Sequence, residues 1–433
     1  MSLAFGVFIF VFVLAFCIRV PIAVGMMSAC VIYFMIEPGP AANVEMAASQ
    51  FVTQMHTKFV MIAIPLFIFA AKVMNEGGVT DLIFNWALTL VGRLKGGLGH
   101  VNVVASLIFS GMSGAATADA AGLGLMEIRA MQKRGYDDGF ACAITAASAT
   151  IGPIFPPSIP MILYATMSGV SVGGLFLGGV VPGVLLALFL MMYVAWVSHR
   201  RNYPKESIKI TIGQWLLMTL RAMPALITPI ILLTGIYSGI FTPTEGGAIA
   251  AVWALFVSVF IYRSMGLARF WTVLSESATT TAIVAVKIGV AFAFSFIITY
   301  EQVSQHLTTW LLDMSTSRIM LLILVNIMFL ALGMVIDTLV MLIVFVPLVI
   351  PVAIAFDINL VHFGVVLILN MMIGLSTPPV GGLLFIVSAV SGVPLGKIIK
   401  EIIPIIFVMI AVLVLITFVP ELVLYIPEAA ANR

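Results

Sequence analysis

Charge is what this 433-residue sequence has least of: Asp, Glu, Lys and Arg together make up 9% of it. Apolar residues supply 62%, and the mean hydropathy is +1.21. A soluble chain of this length could not hide so much apolar surface, which leaves a polytopic helical membrane protein. The few charges nearly cancel, to +2, so no basic surplus speaks for nucleic acid. Cysteine is scarce as well. Cys17, Cys30 and Cys142 lie in apolar runs without metal-ligand spacing, and are expected to be buried thiols rather than disulfides or a cluster. Neither H-E-x-x-H nor a P-loop is present, so a zinc protease and an ATP-driven motor are both unsupported. The first residues lack a basic n-region and a small-residue cleavage site. Leu3–Ile18 therefore reads as a retained span rather than a secretory signal.

What the sequence does have is a repeat. Ile151-Gly152-Pro153-Ile154-Phe155-Pro156-Pro157 and Ile373-Gly374-Leu375-Ser376-Thr377-Pro378-Pro379 share Ile, Gly and both prolines in register, at an offset of 222 residues. The same offset carries Gly111-Met112 onto Gly333-Met334, Gly174 onto Gly396 and Pro182 onto Pro404. Both heptapeptides sit inside long apolar segments, where Gly and tandem Pro break a helix. In lipid, broken backbone survives only where protein or a hydrated cavity satisfies its free N–H and C=O groups. Two interrupted segments at matching places in two halves point to a transporter's binding site; the plainer alternative is a pair of proline kinks used for packing.

The order of segments supports two halves. Leu3–Ile18 and Val20–Ile36 pair around Arg19, and a polar stretch, Glu37–Lys58, precedes a span at Phe59–Met74. Val79, Leu82, Ile83, Trp86 and Leu90 recur at helical spacing, predicting an interfacial amphipathic helix. Val101–Met126, rich in Gly and basic at both ends, reads as a re-entrant hairpin; the broken Phe140–Met167 and the span Leu175–Val197 follow. After the basic linker His199–Lys209 come spans near Met223–Phe241, Gly246–Tyr262 and Thr272–Tyr300. A second amphipathic piece (Val303, Leu307, Trp310, Leu311, Met314) leads to a second hairpin, Ile319–Ala355, the broken Val361–Val390 and a last span, Ile402–Val419. The expected division is a first repeat over 1–198, a cytoplasmic basic linker and arm over 199–221, and a second repeat over 222–433.

Lys and Arg set the expected orientation. With both termini on the periplasmic side, most basic residues, from Arg19, Arg93 and Arg134 to Arg201, Arg263 and Lys400, fall on the cytoplasmic side. Lys58, Arg318 and Arg433 fall outside; Lys72 and Lys287 lie within spans. The second half then starts inside where the first started outside, so the repeats are inverted. The predicted fold class is an all-α polytopic membrane protein with inverted structural repeats, two re-entrant helical hairpins and two broken transmembrane helices.

Unwound backbone with nearby hydroxyls suits a cation, and helix C-termini add partial negative charge. The first hairpin tip, Ser110-Gly111-Met112-Ser113-Gly114-Ala115-Ala116-Thr117, would lie beside Gly152–Pro157. The second, Gly333–Thr338, would lie beside Gly374–Pro379. Small hydroxyl residues also glue helices together in membranes, so each of these Ser and Thr has a packing reading too. Asp337 differs, because an ionisable group within a span is costly and functional by default; its alternative is an interfacial acid at the hairpin mouth. Asp119 poses the same question, and Lys287 could snorkel or pair with Glu276 or Glu301. Gly111-Met112-Ser113-Gly114 also matches the G-x-S-G of rhomboid-type intramembrane proteases. That chemistry needs a His base near Ser113, and His56, His100, His199, His306 and His362 all fall near span ends or in polar linkers.

At these motifs the whole chain resembles the large membrane subunit of a tripartite ATP-independent periplasmic (TRAP) transporter, the DctM-like family. The resemblance rests on Ser110–Ala116 with Thr117-Ala118-Asp119, on Ala149–Ser158, and on Gly374–Pro379 with Val380-Gly381. It implies an elevator-type carrier of the ion-transporter superfamily in the bacterial inner membrane, with Na+ as coupling ion and no cofactor. The cargo would be an organic acid such as sialate or a dicarboxylate. A periplasmic substrate-binding protein would deliver it, and a small four-span membrane subunit would buttress the scaffold. By motif match, one sodium site would fall to Ser110, Ser113, Gly152, Phe155 and Pro157. The second would fall to Gly333, Gly374, Thr377 and Val380. Substrate would meet Asp337, Ser376 and Thr117. The alternative is a self-sufficient sodium–anion symporter of the same architecture; a rhomboid-like protease is the distant enzyme alternative.

Overall fold

In the computed structural model the described residues are 2–18, 20–37, 43–206, 211–306, 309 and 317–431. Among them there are helices and turns and no strands, as lipid demands of a chain whose backbone must satisfy itself. Seven helices among the described residues are long and apolar enough to cross a membrane: Phe59–Glu76, Val172–Arg200, Ile212–Tyr237, Pro243–Ile261, Leu267–Tyr300, Thr338–Ala355 and Leu395–Phe418. Leu3–Cys17 and Ile22–Ile36, expected as full spans, have 15 residues each. At 1.5 Å per residue each covers about 22 Å, short of the ~30 Å hydrocarbon core.

Local chemistry explains the boundaries. Thr211 with Gln214, and Thr242 with Glu245, form reciprocal capping boxes that start two of the long spans, the second with Pro243 in its first turn. The stretch expected to be simply polar, Glu37–Lys58, contains a helix, Val44–Thr57, capped by the Asn43 side chain. Met46, Ala47 and Phe51 give that helix an inward face against Leu267–Tyr300. A short helix, Glu421–Ala431, follows the last span and packs on Val172–Arg200. Arg19, Lys209, Leu307, Trp310, Leu311, Met314 and Arg433, named above from the sequence, lie outside the described residues.

The segments expected as hairpins and broken spans form helix–turn–helix and helix–break–helix units. The first hairpin is Gly97–Ser113, a turn at Gly114, then Ala116–Ala121 and Leu123–Lys133. Its broken span is Asp138–Ala149 and Ile159–Ser168. The second hairpin is Arg318–Gly333 and Thr338–Ala355, and its broken span Leu360–Leu375 and Gly382–Ser391. The leading halves of the broken spans form the innermost layer: every residue from Gly139 to Ala149 and from His362 to Gly374 is buried. A helix apolar all round has no solvent face to offer, so it goes to the centre. The two broken spans also touch each other, Gly364 leaving room for the Tyr164 ring, whose hydroxyl donates to the Leu360 carbonyl at 2.8 Å.

Around this centre Phe59–Glu76, Pro243–Ile261 and Leu267–Tyr300 pack together as a second group with the N-terminal helices. Val79–Val91, the predicted amphipathic helix, packs on Gly97–Ser113 on one side and Ile212–Tyr237 on the other. Ile212–Tyr237 in turn packs on Pro243–Ile261, so Val79–Val91 joins the first hairpin to the outer group. One expectation fails here. Cys17 is exposed rather than buried, on the outer face of the first helix. Of the alternatives for Lys287, pairing with Glu276 or Glu301 is not seen among the described residues: Glu276 is taken by Lys72 at 3.2 Å, and Glu301 accepts from Ser2 and from the Tyr33 hydroxyl at 2.8 Å.

Candidate functional site

Each hairpin tip meets its own broken span through glycine. Gly114 ends the first hairpin helix at φ +62°, where its carbonyl accepts from Ile159 N–H at 3.4 Å. A Cβ on Gly114 would lie 2.5 Å from the Pro157 carbonyl oxygen, so only glycine lets the two backbones approach this closely. In the second half the Met334 carbonyl accepts from Gly381 N–H at 3.2 Å. The donors Ile159 and Gly381 are related by the 222-residue offset, while the acceptors Gly114 and Met334 differ from it by two residues, so each half ties its tip to its break at a similar but not identical place. A Cβ on Gly374 would stand 2.7 Å from Gly333 Cα, backbone against backbone. Pro156-Pro157 and Pro378-Pro379 both carry cis peptide bonds.

The residues expected at a first cation site gather as follows. Ser110 is buried and donates to the Leu107 carbonyl of its own helix at 2.6 Å. Ser113 donates to an oxygen of Asp119. The other oxygen of Asp119 faces Gly152, 2.7 Å from where a Cβ would be. The Phe155 ring lies against Gly111 and Gly183, and Pro157 against Gly114. At the second site Thr377 donates to the Ile373 carbonyl at 2.6 Å, and the Thr377 carbonyl lies by Gly381. Val380, two residues past the break's first proline, is exposed. Ser110 and Thr377 thus spend their protons on their own helices. A hydroxyl has one donor and two lone pairs, so the lone pairs stay free to meet a cation.

Between the two tips lies a cavity of about 210 Å³. Its wall takes Ser113, Ala115, Ala116 and Thr117 from the first tip, and Asp337, Thr338 and Leu339 from the second. Asp337 and Thr117 therefore reach one chamber although 220 residues separate them. Asp337 is also the N-cap of Thr338–Ala355, one carboxylate oxygen accepting from Leu339 N–H at 3.1 Å. Ser376 is buried and donates to the Met372 and Ile373 carbonyls, while Met372 and Leu375 of the same helix line the chamber.

Several lining residues carry no signal in the sequence pattern. Lys72 and Asn75 come from Phe59–Glu76, and Thr280 from Leu267–Tyr300, so the outer group closes one side of the chamber. Thr338, already part of the expected second tip, has a buried hydroxyl without a partner among the described residues. Polar clasps behind the tips were also missed. Asn102 donates to Thr145 at 2.7 Å and accepts from Ser148 at 2.7 Å, tying hairpin to broken span. Asn370, which the offset maps from Ser148, does the same in the second half by donating to the Asn326 carbonyl at 2.8 Å and its side-chain oxygen at 2.7 Å.

Two glycine-locked tips facing one hydrated-size chamber, in a bundle of apolar helices, define a membrane transport permease. Ser113 has a carboxylate rather than an imidazole as its partner, which is not the environment of a serine protease nucleophile. The chain belongs to the family of the tripartite ATP-independent periplasmic transporter DctM component, which matches residues 8–422. It is 41% identical to the sialic acid TRAP transporter large permease protein SiaM of Vibrio cholerae, over 86% of each chain. It is 36% identical to the C4-dicarboxylate TRAP transporter large permease protein DctM of Pseudomonas aeruginosa, over 88% of this chain and 89% of that one. Its fold is similar to that of the Alcanivorax borkumensis YdaH transporter, with a TM-score of 0.66 at 12% identity over 97% and 98% of the two chains. The chain is thus a TRAP large permease, a multi-span transport protein and not an enzyme.

Proposed function

We propose that this permease imports an organic acid anion of the sialate or dicarboxylate class across the bacterial inner membrane, driven by a sodium gradient. The observation that carries the reading is the chamber shared by Asp337 and Thr117, with a glycine-locked tip on either side. Sodium occupies Ser110, Ser113, Gly152, Phe155 and Pro157 on one side, and Gly333, Gly374, Thr377 and Val380 on the other. Oxygen donors of this kind, carbonyls and hydroxyls at helix C-termini, suit a small hard cation. Substrate sits between, at Asp337, Thr117 and Ser376.

The hairpins and broken spans move as one body against the outer group, an elevator, with Val79–Val91 as one of the arms that carry it. Its packing against both bodies supports this role. A periplasmic binding protein delivers the cargo, a small four-span subunit braces the outer group, and both termini face the periplasm. The relatives named for sialic acid and C4-dicarboxylates support the cargo class. Uptake in proteoliposomes, with and without sodium and with and without a co-purified binding protein, tests the whole. Uptake that ignores the sodium gradient overturns the coupling. Full uptake without the binding protein favours a self-sufficient symporter.

A further inference from the structure

The two halves differ at one place where the repeat predicts likeness. At the 222-residue offset Ser113, Asp119 and Glu127 become Val335, Met341 and Val349. Only the first hairpin buries acids. Asp119 is 2% exposed and Glu127 1%, and neither joins an ion pair among the described residues. One oxygen of Asp119 accepts from Ser113, but among the described residues the other has no partner, nor has either oxygen of Glu127. A carboxylate left without donors inside a protein is expensive, and in a membrane protein more so. The free Asp119 oxygen packs directly against Gly152, a glycine of the break shared by both halves, so close that a Cβ there would stand only 2.7 Å from it. Two helices, Gly97–Ser113 and Asp138–Ala149, end here, and their C-terminal carbonyls add negative potential without adding any donor.

We propose that the unpartnered oxygen of Asp119 is the anionic ligand of a cation site completed by the Ser113 hydroxyl and the backbone at Gly152. The first-half site then carries a formal negative charge and the second-half site, built from Gly374 and Thr377, carries none. One carboxylate with a hydroxyl and carbonyls is neutralised by a monovalent hard cation, which makes sodium the fitting occupant. Glu127, nearby on the same hairpin, deepens the negative potential. This assignment rests on the sodium-coupled reading above and gives that reading an unequal pair of sites.

The test is equilibrium binding of radioactive sodium to the purified full-length permease in detergent. Asp119→Asn keeps shape and removes the charge; it should lose one class of site, its sodium affinity falling at least tenfold, while Thr377→Val shifts only the other class. If the wild-type protein binds no sodium saturably, the coupling itself falls, and the site with it. If the wild type binds sodium and Asp119→Asn binds it with unchanged affinity and stoichiometry, the Asp119 assignment alone is overturned. Should Asp119→Asn not be recovered as a monodisperse protein, Gly152→Ala decides. Its methyl group would stand within 2.7 Å of the free oxygen and displace it, so wild-type sodium binding in that variant overturns the site.

Discussion

Asp337→Asn separates the two roles of one side chain. In the structure one carboxylate oxygen caps Thr338–Ala355 through Leu339 N–H, and the residue also lines the chamber. Asn caps a helix about as well as Asp, so the variant should keep its fold; Asp337→Ala loses the cap, at a cost of about 1 kcal/mol. Transport should respond to the charge instead. A hydrogen bond from a substrate hydroxyl to an ionised group contributes roughly 1.5–3 kcal/mol, so removing the charge should raise the half-saturating substrate concentration about ten- to 150-fold. The assay is initial uptake in proteoliposomes, normalised to monodisperse protein, with thermal stability in detergent measured in parallel. Wild-type uptake per folded molecule in the Asn variant would refute the transport role and leave only the cap. Loss of stability in Asn and Ala alike would instead mark the acid as part of the hairpin's framework.

Other outcomes follow from the same geometry. Thr377→Val removes a hydroxyl whose lone pairs are free, and should raise the sodium concentration for half-maximal uptake about five- to 150-fold, for a ligand worth roughly 1–3 kcal/mol; an unchanged sodium curve would return Thr377 to packing. Gly374→Ala drives a methyl into the Gly333 backbone and should cost about 1–3 kcal/mol, read as a lowered melting temperature in detergent. Ser148→Ala leaves the buried Asn102 carbonyl oxygen without its donor and should destabilise by about 1–3 kcal/mol, with sodium dependence unchanged in the folded fraction. Cysteines at the exposed positions Glu45 and Glu428 should react with an impermeant maleimide from the periplasm, and one at Lys205 only after the membrane is opened; labelling of Glu45 and Glu428 from opposite faces would sink the inverted repeat.

What the sequence by itself determined is whatever the chain encodes over short distances. Gly and Pro interrupt helices where they stand, and apolar runs become buried helices whatever surrounds them. The breaks at 150–158 and 376–381, the turns after Ser113 and Gly333, and the amphipathic Val79–Val91 could all be read off in order. The 222-residue offset extended that reading to which tip meets which break, because a repeat in sequence implies a repeat in contact. Only the tertiary structure decided what meets across unrelated separations. Lys72, Asn75 and Thr280 reach the chamber from helices whose local pattern is that of any span. Lys72 rather than Lys287 takes Glu276: Lys287 stands three turns along the same helix, about 16 Å of rise away, whereas packing brings Lys72 across from a neighbouring helix. Asp119 posed only a question until folding turned one of its oxygens toward Gly152, and the helix cap that Asp337 forms on Leu339 N–H, in addition to lining the chamber, was not legible either. Such contacts depend on the direction of a side chain in the packed whole, which is set by every helix around it and by no single stretch of the chain.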